Sequence, residues 1–170
     1  KSWGLEYSLL NLDNMVYAVF YNKDFIVVSF KGTSRLNEVI SDIKITKVDD
    51  TYNIPGKIHK GFHDILLKDK SVEKIEERFN VILKENYSKE DGSGPKKVFF
   101  TGHSLGAALA SVLFSYFKLK PLTFSLDLVT FGCPRVGNKD FAKGLAQTYR
   151  VVHGSDIITS IPNIFYRHPK

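Results

Sequence analysis

One cysteine, Cys133, stands in a chain of 170 residues. A single thiol forms no intrachain disulfide and offers no Cys-x-x-Cys pair for zinc, so neither a disulfide scaffold nor a zinc module is encoded. No apolar run approaches the ~20 residues that cross a bilayer. No block of like charge exists either. The net charge of +6 comes from lysines scattered between Lys1 and Lys170. Nucleic-acid binding calls for a clustered basic stripe or a recognisable module, and neither is found. Scattered positive charge mildly favours contact with an anionic lipid surface. Internal repeats and low-complexity tracts are absent. The opening Lys-Ser-Trp-Gly has no initiator methionine and no signal peptide. It reads as a processed or trimmed start, compatible with secretion.

What is present reads as a globular chain. Hydrophobic residues make up 43% and charged residues 25%, enough apolar surface to fill a core. The length is that of one domain, taken as residues 1–170. Strand and helix patterns alternate, which predicts an α/β fold with a mostly parallel sheet flanked by helices. Met15 to Phe20 and Phe25 to Phe30 read as strands around the turn Tyr21-Asn22-Lys23-Asp24. Asp64 to Tyr87 reads as one helix, with Val72, Ile75, Phe79 and Ile82 at helical spacing. Asp91 to Pro95 is a loop. Lys97 to Thr101 is a strand, and Ser104 to Phe117 a helix stopped before Pro121. Leu126 to Phe131 and Arg150 to His153 are expected as further buried strands.

The strongest chemical signal is Gly102-His103-Ser104-Leu105-Gly106. This Gly-x-Ser-x-Gly pentapeptide follows the predicted strand Val98-Phe99-Phe100 and opens the small-faced helix Ala107-Ala108-Leu109-Ala110. A serine at a sharp strand-to-helix turn must adopt a strained backbone. Glycines two positions to either side let strand and helix approach closely. The helix begins at the serine, so its free amides and positive end face the hydroxyl. The Leu105 amide is then positioned to bind an oxyanion. A glycine turn with an incidental serine is the bland alternative, and the flanking strand and helix argue against it. His103 is expected to face away from Ser104, because neighbouring side chains diverge along a strand.

Acyl transfer also needs a base, a group orienting that base, and oxyanion donors. The acids after Ser104 are Asp127, Asp140 and Asp156. Asp127 lies in a predicted strand, and Asp140 is expected to cap the next helix. Asp156 follows the strand Arg150 to His153 in His153-Gly154-Ser155-Asp156. Catalytic residues of open parallel sheets gather beyond the strands' carboxyl ends, which selects Asp156. Lys31-Gly32-Thr33-Ser34 leaves another strand, and Thr33 has an amide and a hydroxyl to offer, although from the residues alone a plain loop threonine is the favoured reading. Only His153 and His168 follow Ser104. His153 precedes the acid. His168 fits the order Ser, Asp, His, but a surface or strand histidine is the favoured reading.

Together these blocks resemble the fungal-type (class 3) lipases of the α/β-hydrolase superfamily. The resembling segments are Val27 to Thr33, Ile58-His59-Lys60-Gly61-Phe62, Gly102 to Ala110, Thr130 to Asn138, and Arg150 to Ile158 with Ile161-Pro162. The resemblance implies Ser104 as nucleophile, Asp156 as acid, and Thr33 with Leu105 as oxyanion hole. His59 is structural by the same resemblance. Ser34 to Asp42 occupies the place of a lid, with Arg35, Leu36, Val39 and Ile40 on it, but the tryptophan common in that helix is missing. The family's histidine lies further on than Tyr166-Arg167-His168. A base beyond Lys170 is therefore expected, with His168 as the alternative and the domain read as incomplete at its C-terminus. The implied reaction is hydrolysis of a lipid carboxylic ester, at times at a lipid–water interface. No metal, other cofactor or nucleic-acid partner is called for. The alternatives are an inactive lipase-like binding protein, or a phospholipase or acyl transferase using the same residues.

Overall fold

The computed structural model describes residues 4–12, 15–33, 47–48, 52–67, 70–87, 94–146, 148–154 and 157–160. Their strands are β1 (Glu6–Leu12), β2 (Met15–Tyr21), β3 (Phe25–Phe30), β4 (Lys47–Val48), β5 (Ile58–His59), β6 (Lys97–His103), β7 (Ser125–Phe131) and β8 (Tyr149–Val151). Their helices are α1 (Lys60–Leu67), α2 (Ser71–Asn86), α3 (Leu105–Phe117) and α4 (Lys139–Gly144), with a 3-10 turn at Ile157–Ser160.

Six strands form one sheet in the order β1-β2-β3-β6-β7-β8, while β4 and β5 pair separately. The β1–β2 and β2–β3 pairs are antiparallel; β3–β6, β6–β7 and β7–β8 are parallel. The register aligns the parallel carboxyl ends: Phe30 faces Gly102, His103 faces Phe131, and Phe131 faces Val151. Everything that leaves these strands therefore emerges along one rim. The hairpin between β2 and β3 is closed by Asn22, whose Oδ1 accepts from the amides of Asp24 (2.9 Å) and Phe25 (3.1 Å). That is the Asx turn expected of asparagine here.

Alternate strand residues define the core. Tyr17, Val19, Ile26, Val28, Phe30, Val98, Phe100 and Leu128 all point to one face and are buried there. Helix α3 lies on that face with every residue from Leu105 to Phe117 buried, as suits a helix apolar all round. Phe100 meets Phe114 and Phe117 at centroid distances of 6.1 and 5.4 Å. Helix α2 adds Phe79, edge-on to Phe117 at 5.2 Å.

Several expectations need correction. The helix foreseen over Asp64 to Tyr87 is two helices, α1 starting earlier at Lys60 and α2 at Ser71. Lys70 between them has φ 59°, a left-handed conformation that no α-helix continues through. No glycine or proline marks that break. Strand β1 went unread. Strand β8 is short, and its Tyr149 and Val151 are exposed, so it is not the buried strand expected. Asp140 does not cap α4; Asn138 does, accepting from the Phe141 amide at 3.1 Å.

Asn138 has a second task. Its Oδ1 also accepts from the Lys57 amide at 3.0 Å, and its own amide donates to the Lys57 carbonyl at 2.9 Å. One side chain thus caps α4 and ties the β5 loop to it. Replacing Asn138 by alanine is expected to cost about 2 kcal/mol, the upper end of cap losses, because two amides lose one acceptor. Urea denaturation of the two proteins measures it; a difference within 0.5 kcal/mol, roughly the size of a featureless surface change, contradicts the double role.

Candidate active site

Ser104 sits between β6 and α3 at φ 57° and ψ −118°. A non-glycine residue held there stores roughly 1–3 kcal/mol of strain, which the surroundings must impose. Three close approaches impose it. A Cβ on Gly102 would lie 2.4 Å from the Gly106 carbonyl carbon, and one on Gly106 would lie 2.3 Å from the Phe30 carbonyl oxygen. A Cβ on Gly32 would lie 2.7 Å from the His103 carbonyl oxygen. Strand β6, helix α3 and the loop after β3 therefore meet backbone to backbone, and only glycine fits.

The hydrogen bonds around the turn sort its amides. The Ser104 amide donates to the Phe131 carbonyl at 2.9 Å, and the amides of Ala107 and Ala108 donate to the Ser104 carbonyl at 3.0 and 3.2 Å. Those of Leu105 and Gly106 stand at the first two helical positions, before intrahelical bonding begins, and have no acceptor among the described residues. Serine at a helix start ordinarily caps with its hydroxyl. Here the hydroxyl makes no cap bond. The residue is 1% exposed, and Oγ is buried with no hydrogen-bond partner among the described residues. An unpartnered buried hydroxyl is unfavourable for folding, so its presence asks for a reason outside folding.

The neighbours expected of Ser104 fall into place unevenly. Leu105 is buried at the start of α3. Thr33, half-buried, follows Gly32, and Gly32 lies against the carbonyl of the residue before Ser104, so Thr33 is brought to the turn. His103 is exposed while Ser104 is buried, so their side chains diverge as expected. Asp127 is engaged elsewhere, 2.8 Å from Lys97 Nζ. Asp156, His168 and the lid segment Ser34 to Asp42 lie outside the described residues, as does Ile161-Pro162. The Gly106 amide and the Phe131 carbonyl were missed by sequence reasoning. The second glycine of the pentapeptide was a usable signal for the first; nothing signalled the second.

Two further titratable groups are buried in the fold. Cys133 is buried 3.9 Å from Ser111 Oγ, and burial pushes its thiol up to about 12, which keeps it an inert protonated thiol. His59 is fully buried, and desolvation lowers it from its ordinary 6.5 to about 4. Its Nδ1 accepts from the Gly61 amide at 3.0 Å, which fixes the neutral form with the proton on Nε2. Between those two values the unfolded chain binds a proton that the folded chain does not. Stability is therefore whole above about 6.5 and declines as the pH falls towards 4. Melting curves between these limits check this: His59→Asn is expected to flatten the decline, and an unchanged slope would exclude His59 as its source.

The family model for lipase (class 3) matches residues 27–166. A secreted mono- and diacylglycerol lipase of Fusarium solani is 46% identical over 78 residues, covering 42% of this chain and 23% of its own. A secreted mono- and diacylglycerol lipase of Malassezia restricta is 28% identical over 99% of this chain and 54% of its own. The triacylglyceride lipase of Rhizomucor miehei superimposes with a TM-score of 0.77 at 26% identity, over 98% of this chain and 65% of that one. The chain thus spans between about a quarter and just over half of these curated relatives. The mostly parallel sheet with flanking helices is the α/β-hydrolase architecture of those solved lipases. The backbone-to-backbone junction around residue 104 falls inside the matched region, and the chain belongs to the class 3 lipase family.

Proposed function

We propose that this chain hydrolyses carboxylic esters of lipids, acylglycerols foremost, with Ser104 as nucleophile. The observation that carries the reading is a strained serine at a helix start whose buried hydroxyl neither caps the helix nor bonds to any other described residue. Residues 1–170 act as one α/β-hydrolase domain, supported by a single core cluster running from Met15 to Leu145. Ser104 Oγ attacks the ester carbonyl as a histidine removes its proton. Asp156 orients that histidine and stabilises its charged form. The base is a histidine beyond Lys170 rather than His168. The tetrahedral oxyanion is bound by the Leu105 amide and by Thr33, each donor contributing about 3 kcal/mol. Water then releases the acid. The relatives named as secreted lipases support secretion and a lipid ester as substrate.

A phospholipid substrate is a second reading. It is favoured by a chloroplastic phospholipase A1 of Arabidopsis thaliana, 29% identical over 82% of this chain and 34% of its own.

The polypeptide from the complete gene is expected to react with a fluorophosphonate at Ser104 alone, as located by peptide mass. A folded protein that takes up no label contradicts the nucleophile. Product analysis on diacylglycerol and phosphatidylcholine then separates the two substrates.

A further inference from the structure

Of the asparagines in the chain, only Asn86 is followed two positions later by a serine or threonine, in Asn86-Tyr87-Ser88. No proline stands between them. That spacing is the acceptor sequence for an N-linked glycan, a bulky and hydrated group that has to sit on the surface. Ser88 enters by sequence alone and lies outside the described residues. Three residues make a short motif, so the fold must also have room for a glycan at Asn86.

Asn86 is the last residue of α2 and is exposed, as are Lys84 and Glu85 before it. Tyr87 goes the other way. It leaves the helix in an extended conformation, φ −134° and ψ 123°, with its side chain buried. Its hydroxyl donates to the Asn22 carbonyl and pins the end of α2 to the β2–β3 hairpin. The burial is thus done by Tyr87, and Asn86 is left to solvent. Asn86 Nδ2 donates to the Ile82 carbonyl at 3.0 Å. A free side-chain amide has two hydrogens and a glycosylated one keeps one, so this bond and a glycan coexist.

The same pin fixes the end of the sheet from which a glycan would leave. Asn22 and Phe25 bound the turn into β3, and Phe25 is level with Lys97 and Ser125 at the amino ends of the parallel strands. Ser104 follows the carboxyl ends, where Phe30 is level with Gly102. The six residues of β3, at ~3.3 Å each, separate the two ends by roughly 20 Å. A sugar on Asn86 stays in water while the Ser104 end meets a lipid.

We infer that Asn86 carries an N-linked oligosaccharide, projecting from the end of the sheet opposite Ser104. The inference rests on the secretion proposed above, because the sugar is transferred in the secretory pathway. The donor is a lipid-linked oligosaccharide diphosphate. Nδ2 bonds to the anomeric carbon of the sugar as the bond from that carbon to the diphosphate oxygen breaks. The diphosphate leaves with the electron pair, and Nδ2 gives up one proton. Transfer precedes folding, so the sequence selects the site and the fold keeps the product exposed.

The test uses protein from the organism that carries the gene, with cells and extracellular fluid separated. Treatment of the extracellular protein with peptide-N-glycosidase is expected to raise its mobility in one step and to leave aspartate at position 86, read by peptide mass. Asn86→Gln and Ser88→Ala in the complete gene are expected to lose the mobility step, and Ser88→Thr to keep it. Ester hydrolysis by the deglycosylated protein is expected to be unchanged. Extracellular protein with unmodified asparagine at position 86 overturns the site and leaves secretion standing. Protein confined to the cytosol overturns both. A large loss of hydrolysis on deglycosylation overturns the placement away from Ser104.

Discussion

Ser104→Ala is expected to lower ester hydrolysis by on the order of 10⁵-fold or more in kcat, the scale seen when a triad nucleophile is removed. The same substitution is expected to leave the melting temperature unchanged or slightly raised. The two effects part company because Ser104 Oγ has no hydrogen-bond partner among the described residues. Removing an unpartnered buried hydroxyl relieves a desolvation penalty and sacrifices no contact. Ser104→Gly sharpens the point. Glycine accepts φ 57° without penalty, so this variant is expected to be roughly 1 kcal/mol or more stabler than Ser104→Ala while equally inactive. Initial rates on p-nitrophenyl esters and thermal melts of the three proteins provide the comparison. A large drop in melting temperature for Ser104→Ala would make the hydroxyl a structural group. Retained hydrolysis would remove Ser104 from the chemistry.

Gly106→Ala is expected to destabilise the fold by about 3 kcal/mol or more, the upper range for overpacking, and to lower the melting temperature by roughly 10 °C. The added carbon would meet the Phe30 carbonyl oxygen at 2.3 Å and its carbon at 2.9 Å. Both are backbone atoms of a central strand, so no side chain can swing aside. Helix α3 must instead lift from the sheet and carry the Leu105 amide and the Ser104 hydroxyl with it. A displacement near 1 Å is worth about 100-fold in rate, so any folded fraction is expected to be slow as well. Gly94→Ala is the control, since its added carbon meets nothing within 4 Å. Equal melting temperatures for the two variants would show that the contact between helix and strand is looser than described.

How far the sequence carries depends on the range of the interaction being read. The pentapeptide Gly102 to Gly106 encodes its turn locally, because glycine spacing, strand pattern and small-faced helix all act within a few residues. Strand β3 was legible to its ends from the five apolar residues among its six. Ser104 and Leu105 could be singled out for the same reason, and Asp140 was misread as a cap because Asn138 competes within the same turn.

Other features were settled at long range. The break at Lys70 has no local marker, and packing of α1 against α3 holds it. The approach of Gly32 to His103 joins residues 71 apart in the chain, and only the β3–β6 register brings them together. The bond from the Ser104 amide to Phe131 depends on β7 lying beside β6, and the amides of Leu105 and Gly106 are left without an acceptor among the described residues. The alternating pattern predicted a sheet flanked by helices, yet only the tertiary arrangement packed α1, α2 and α3 together on the face of Phe100. The sequence by itself determined a serine poised at a strand-to-helix bend, because backbone sterics act between near neighbours. Tertiary structure decided which backbone groups meet that serine and which face receives α3, because those outcomes depend on contacts between strands far apart in the chain.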